Sequence, residues 1–135
     1  MAPALAPAQA GRVPLSVYLI DDHAAYRRCV RDALAGTAQV AGEAADGHAA
    51  LAAAAICAPR PLADVVLLDI ALPGLHGVEV ARRLLVLAPG TRLVVLSSHH
   101  EPVLVQAMFD TGARAFVGKH EPLPVLVAAI QRAAV

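Results

Sequence analysis

Asp69 closes the run Asp64-Val65-Val66-Leu67-Leu68-Asp69 and is followed at once by Ile70-Ala71-Leu72-Pro73-Gly74. The valines and leucines read as a strand buried on both faces, which would carry the carboxylate to its C-terminal tip. Burial there costs several kcal/mol unless a cation or hydrogen bonds compensate. A second run, Leu15-Ser16-Val17-Tyr18-Leu19-Ile20, ends the same way, in Asp21-Asp22. A run at 92–97 ends in Ser97, and one at 114–118 is followed by Lys119. Three carboxylates at close range repel, and at least one stays protonated unless a cation joins them. A hard divalent ion such as Mg2+ takes oxygen ligands, and Lys119 adds a compact point charge. A carboxylate beside such an ion, a lysine and a hydroxyl is equipped to accept a phosphoryl group. The carboxylate attacks, ion and lysine neutralise the phosphoryl oxygens, and the hydroxyl hydrogen-bonds one of them.

These residues share a site only if their strands end on one edge. Strand candidates at 15–20, 38–43, 64–69, 92–97 and 114–118 alternate with helix candidates at 24–36, 48–57, 77–88, 102–111 and 122–134. Gly36 and Gly112 fall where helices should stop, and Pro102 and Pro122 suit first turns. Five βα units imply a parallel sheet with helices on both faces and right-handed crossovers. With strand order 2-1-3-4-5 the first and third strands are neighbours, and their aspartates flank the point where such sheets bind ligands.

The 135 residues are enough for one domain with a real core. The apolar fraction is 58% but aromatics supply only 3%, so close packing of small side chains is expected. No apolar run reaches the ~18 residues of a membrane span; the longest covers 49–58. A net charge of zero argues against non-specific nucleic-acid binding by this stretch. Arg27, Arg28 and Arg31 read as a solvated helix face. Cys29 and Cys57 form no CxxC pair and fit free thiols in a reducing, cytoplasmic setting. Residues 1–12 read as a disordered Ala/Pro-rich tail without signal-peptide features, and 13–135 as the folded domain.

Taken in order, Asp21-Asp22-His23, Glu43-Ala44-Ala45-Asp46-Gly47, Asp69 through Gly77, Ser97 and the block Gly112 through Lys119 resemble the receiver domain of two-component response regulators. The first two segments most resemble its NarL/LuxR-type branch. The resemblance implies a flavodoxin-like (βα)5 three-layer α/β sandwich. It implies that Asp69 is the phosphoacceptor and that Asp22, Asp21 and Asp69 bind Mg2+ together with the Ala71 backbone carbonyl. It further implies that Ser97 and Lys119 contact the phosphoryl group, that Ser97 and Phe116 form the switch pair, and that Pro73 and Gly77 shape the loop after the acceptor. The expected donor is a sensor histidine kinase. The expected output is transcription, through a C-terminal helix-turn-helix domain outside this chain. The alternative is a stand-alone receiver in a phosphorelay or bound to a protein target. The chain would then be a signalling switch and not an enzyme.

Some positions depart from the family pattern. His120 follows Lys119 where proline is common, so no cis peptide bond is required there. Phe116 lacks a hydroxyl, so inward packing must carry the switch. Ala71 offers no polar side chain to a hydrolytic water, and His99 either does so or projects to solvent. An aspartyl phosphohydrolase would want an acid/base aspartate where Ala71 stands, and a dinucleotide enzyme would want GxGxxG after the first strand. His23, His76, His99 and His100 match no zinc spacing and read as surface histidines. The segment 103–109 is more apolar than one buried face requires. The helix 102–111, strand 114–118 and helix 122–134 are therefore expected to form a homodimer face.

Overall fold

The computed structural model describes residues 14–98 and 102–135. The expected tail at 1–12 and the role weighed for His99 lie outside the described residues, as does His100. The elements run β1 (Leu15–Ile20), α1 (Ala24–Leu34), β2 (Ala38–Ala44), α2 (Gly47–Cys57), β3 (Val65–Asp69), α3 (Gly77–Leu87), β4 (Leu93–Ser97), α4 (Pro102–Thr111), β5 (Ala115–Gly118) and α5 (Leu123–Ala133). All strand pairs are parallel, in the order β2-β1-β3-β4-β5. The expected doubly wound sheet is therefore present, with β1 and β3 adjacent.

Strand side chains alternate between two faces, and the sheet divides the core accordingly. Val17, Leu19, Val65, Leu67, Val94, Leu96 and Val117 pack against α1 and α5 through Val30, Leu34, Leu126 and Ile130. Ile20, Val66, Leu68, Leu93 and Val95 pack on the other face against α2, α3 and α4 through Ala50, Ala54, Val80, Leu84 and Met108. Every residue of β3 and β4 is buried, which is why both read as unbroken apolar runs. Each Val or Leu in them contributes roughly 1.5–3 kcal/mol of burial. The alanines of α2 let that helix lie close to the sheet and to α3.

Local chemistry sets the ends. The carboxylate of Asp46 accepts the Ala49 N–H at 2.8 Å and caps α2. Gly36 and Gly112 take φ +81° and +119° just beyond α1 and α4, as the stop signals predicted. Pro122 is the N-cap of α5, and Pro124 sits within its first turn. The imidazole of His76 caps α3, its Nδ1 accepting the Val78 N–H at 3.1 Å. Asp64 lies ahead of β3 rather than within it, and locks it to β1. Its Oδ2 accepts from the backbone and hydroxyl of Ser16, at 2.9 and 3.0 Å, and its N–H donates to Ser16 Oγ at 2.9 Å.

Gly77 opens α3 directly beneath the loop that follows Asp69. A Cβ there would stand 2.6 Å from the Ile70 carbonyl oxygen and 2.7 Å from its Cα. Backbone cannot swing aside as a side chain does. Gly77→Ala is expected to cost about 1–3 kcal/mol, measured as a lowered urea midpoint at unchanged slope. An unchanged midpoint would mean the loop yields freely.

Candidate functional site

The C-terminal edge of the sheet is held beyond the strands themselves. The Asp21 N–H donates to Ala44 at 3.0 Å, Ile70 to Leu96 at 3.0 Å and Lys119 to Ser97 at 2.8 Å. Each site residue thus stands on backbone fixed by the neighbouring strand. Alternation then decides which face each side chain serves. Asp21, Asp69 and Lys119 share the parity of Val17, Val65 and Val117 and fall on the α1/α5 side. Ser97 and Phe116 share the parity of Val95 and Leu93, and Phe116 packs against the α2–α4 core.

Asp69 is 1% exposed and Asp21 2%, so both carboxylates need partners. Lys119 Nζ lies 2.9 Å from Asp69 Oδ2, to which it donates, and 2.6 Å from Asp21 Oδ2. Asp69 Oδ1 accepts the Ala71 N–H at 2.9 Å, and Asp21 Oδ1 accepts the His23 N–H at 2.8 Å. Asp21 Oδ2 is buried and accepts no aligned hydrogen bond, so the lysine contact there is a close ion pair. Burial alone would depress the Lys119 pKa. Its contacts with Asp21 and Asp69, and their charges, outweigh burial and raise it above the ordinary value. The ammonium also lies 4.8 Å from the centroid of the Tyr26 ring. The Tyr26 phenol is pushed up to about 12, first by burial and then by the charges of Asp21 and Asp69. It therefore stays protonated at neutral pH.

One ammonium among three carboxylates leaves an excess of negative charge. Ligand atoms of Asp21, Asp22, His23 and Asp69 lie within 4.8 Å of one another. Together with the unaligned, buried Asp21 oxygen, this oxygen-rich set fits a hard divalent cation. The expected metal residues Asp21, Asp22 and Asp69 are thus brought together, and the backbone of Ala71 adjoins them through its bond to Asp69. Ser97 is buried at the end of the neighbouring strand β4. Of the histidines set aside as surface residues, His76 serves the α3 cap while His23 belongs to the cluster.

Two of the α1 arginines differ from expectation. Arg27 Nε and Arg31 Nη1 donate to the two oxygens of Glu43, at 2.8 and 2.5 Å, and Arg27 Nη1 donates to the Asp21 carbonyl at 2.5 Å. Arg27 and Arg31 form a guanidinium clasp that ties β2 to the acidic loop, while Arg28 stays exposed as expected. The sequence signal was Glu43 itself, the only acidic residue in β2.

The sequence pattern of the response regulator receiver domain matches residues 17–131. The chain belongs to this family. The receiver is similar to the transcriptional regulatory protein NarL of Mycobacterium tuberculosis, at 37% identity over 112 residues, covering 82% of this chain and 50% of NarL. It is similar to the DNA-binding transcriptional activator DevR/DosR of the same species, at 38% identity over 78% of this chain and 48% of that protein. The receiver spans about half the length of these relatives. The signal receiver domain of NarL superposes with a TM-score of 0.78 at 35% identity, covering 91% of this chain and 98% of that domain. The resemblance to the NarL/LuxR-type branch and the (βα)5 fold are both borne out. Among the described residues, no helix is long and apolar enough to cross a membrane.

Proposed function

We propose that this receiver is a phosphorylation-operated switch with Asp69 as its acceptor. The observation that carries the reading is the Lys119 ammonium placed on both buried carboxylates, Asp21 and Asp69, at the sheet edge. An Asp69 oxygen attacks the phosphorus of a phosphohistidine on a sensor histidine kinase. The P–N bond breaks, the imidazole leaves, and an acyl phosphate forms. Asp21, Asp22, Asp69 and the Ala71 carbonyl would hold Mg2+, which when bound supplies charge neutralisation at the phosphoryl oxygens. Lys119 neutralises a phosphoryl oxygen as a point charge, and Ser97 donates its hydroxyl to another. Ser97 moves toward the phosphoryl group, and Phe116 fills the space it leaves. The receiver passes from one surface state to another. Like NarL and DevR/DosR, the whole protein would carry the change to transcription. A relay or protein-binding role is the alternative output.

Incubation with acetyl phosphate and Mg2+, followed by intact-mass measurement, tests the reading. One added phosphoryl group, absent when EDTA replaces Mg2+, is expected; no adduct with Mg2+ present overturns it.

The proposed output face lies on α4 and α5. Val103 is 80% exposed on α4, Phe109 44% and Val125 of α5 41%, while Met108 is fully buried. An apolar strip of this kind is expected to pair with a second copy when the switch is set. Sedimentation at micromolar concentration should show a heavier species with beryllofluoride than without. An unchanged mass would remove this face from the proposal.

A further inference from the structure

His23 is the one member of the ligand cluster that contributes nitrogen. Its Nδ1 lies 3.3 Å from Asp21 Oδ1, 3.3 Å from Asp22 Oδ1 and 3.2 Å from Lys119 Nζ. The ring is at the α1 N-cap yet makes no capping hydrogen bond, so helix capping does not account for its orientation. Two carboxylate oxygens and an imidazole nitrogen this close are bridged by a proton or by a cation, and their spacing suits either. The ammonium of Lys119 already sits in that position, 2.6 Å from Asp21 Oδ2 and 3.2 Å from His23 Nδ1. The buried Asp21 Oδ2 accepts no aligned hydrogen bond.

We infer that His23 supplies Nδ1 as a ligand to the divalent ion, so that this site takes a first-row transition ion such as Co2+ through a mixed oxygen and nitrogen shell. This rests on the divalent-ion site proposed above. Imidazole favours ions of borderline softness, whereas Mg2+ takes oxygen and dehydrates reluctantly. The nitrogen therefore strengthens Co2+ binding and leaves Mg2+ nearly indifferent. The consequence is a receiver whose metal occupancy follows the balance of transition ions against Mg2+.

Calorimetric titration of Co2+ and of Mg2+ into the protein and into His23→Ala tests this, together with the visible absorption of bound Co2+. His23 is exposed and caps nothing through its side chain, so the variant should fold, and its thermal melt serves as the control. His23→Ala is expected to weaken Co2+ binding about ten-fold or more and to change the Co2+ spectrum. Its effect on Mg2+ should stay within about two-fold. Excess Mg2+ should displace the Co2+, placing both ions in one site. Equal losses for the two ions, no loss for Co2+, or Co2+ that Mg2+ cannot displace overturns the inference. Mg2+-dependent phosphorylation is a separate readout. If it persists while Co2+ ignores His23, only this inference fails.

Discussion

Asp69→Asn will take up no phosphoryl group from acetyl phosphate under conditions in which the unaltered receiver gains one. Asparagine matches the size of the side chain and can still accept the Ala71 N–H that Asp69 Oδ1 accepts at 2.9 Å. It differs in the property that matters, because a neutral amide is a poor nucleophile toward phosphorus and cannot form a stable acyl phosphate. The buried edge of the sheet should otherwise persist, so the thermal melt of the variant should remain cooperative. Intact mass after incubation with Mg2+ decides the matter. An adduct that survives in Asp69→Asn would move the acceptor elsewhere, with Asp21 and Asp22 the next carboxylates to test. The expected loss is complete, even though Asp21 likewise takes a backbone N–H, from His23 at 2.8 Å, and lies 2.6 Å from the lysine.

Lys119→Met will destabilise the metal-free receiver by about 3–5 kcal/mol. The methionine chain is of similar length, so the loss is chiefly electrostatic. Asp21 and Asp69 are 2% and 1% exposed, and without the ammonium two carboxylates would face each other in a nearly dry site. The sign with pH follows from the raised lysine pKa. The unfolded lysine releases its proton near the ordinary 10.5, while the folded one holds it to higher pH. The stabilisation is therefore whole at neutral pH and is lost only as pH climbs through the folded value. Urea unfolding in EDTA at neutral pH measures the cost. Adding Asp21→Asn to Lys119→Met should recover a large part of it, because one buried charge is then gone. A loss below about 1 kcal/mol would class the contact with ordinary surface pairs.

Much of this site was legible because strands advertise their ends. In β3 and β4 the apolar run stops at a single polar residue, and parallel pairing carries those stops to one edge. Asp21, Asp69, Ser97 and Lys119 could therefore be placed without coordinates. The Glu43 clasp could not. Arg27 and Arg31 lie 16 and 12 residues from Glu43, and nothing local distinguishes a helix arginine that reaches across to a strand from one that stays in water. His23 adjoins its sequence neighbours Asp21 and Asp22, and only its 3.2 Å approach to Lys119 joins distant parts of the chain. The His76 cap was hidden because imidazole is an uncommon capping group, and α5 begins one residue late because Pro122 stands outside the helix rather than in its first turn.

Alternation along five strands has a consequence for how the proposed switch can be altered. Asp21, Asp69 and Lys119 stand on the α1/α5 side of the sheet, and Phe116 packs on the side of α2, α3 and α4. The sheet is a wall one residue thick between receiving and reporting, and Ser97 is set in it like a window. Repacking under α1 should change how fast the receiver is charged while leaving its response intact. Repacking under α4 should change how strongly it answers a phosphoryl group that arrives at the usual rate. Input and output can thus be tuned in separate halves of one small domain, with few residues that must satisfy both.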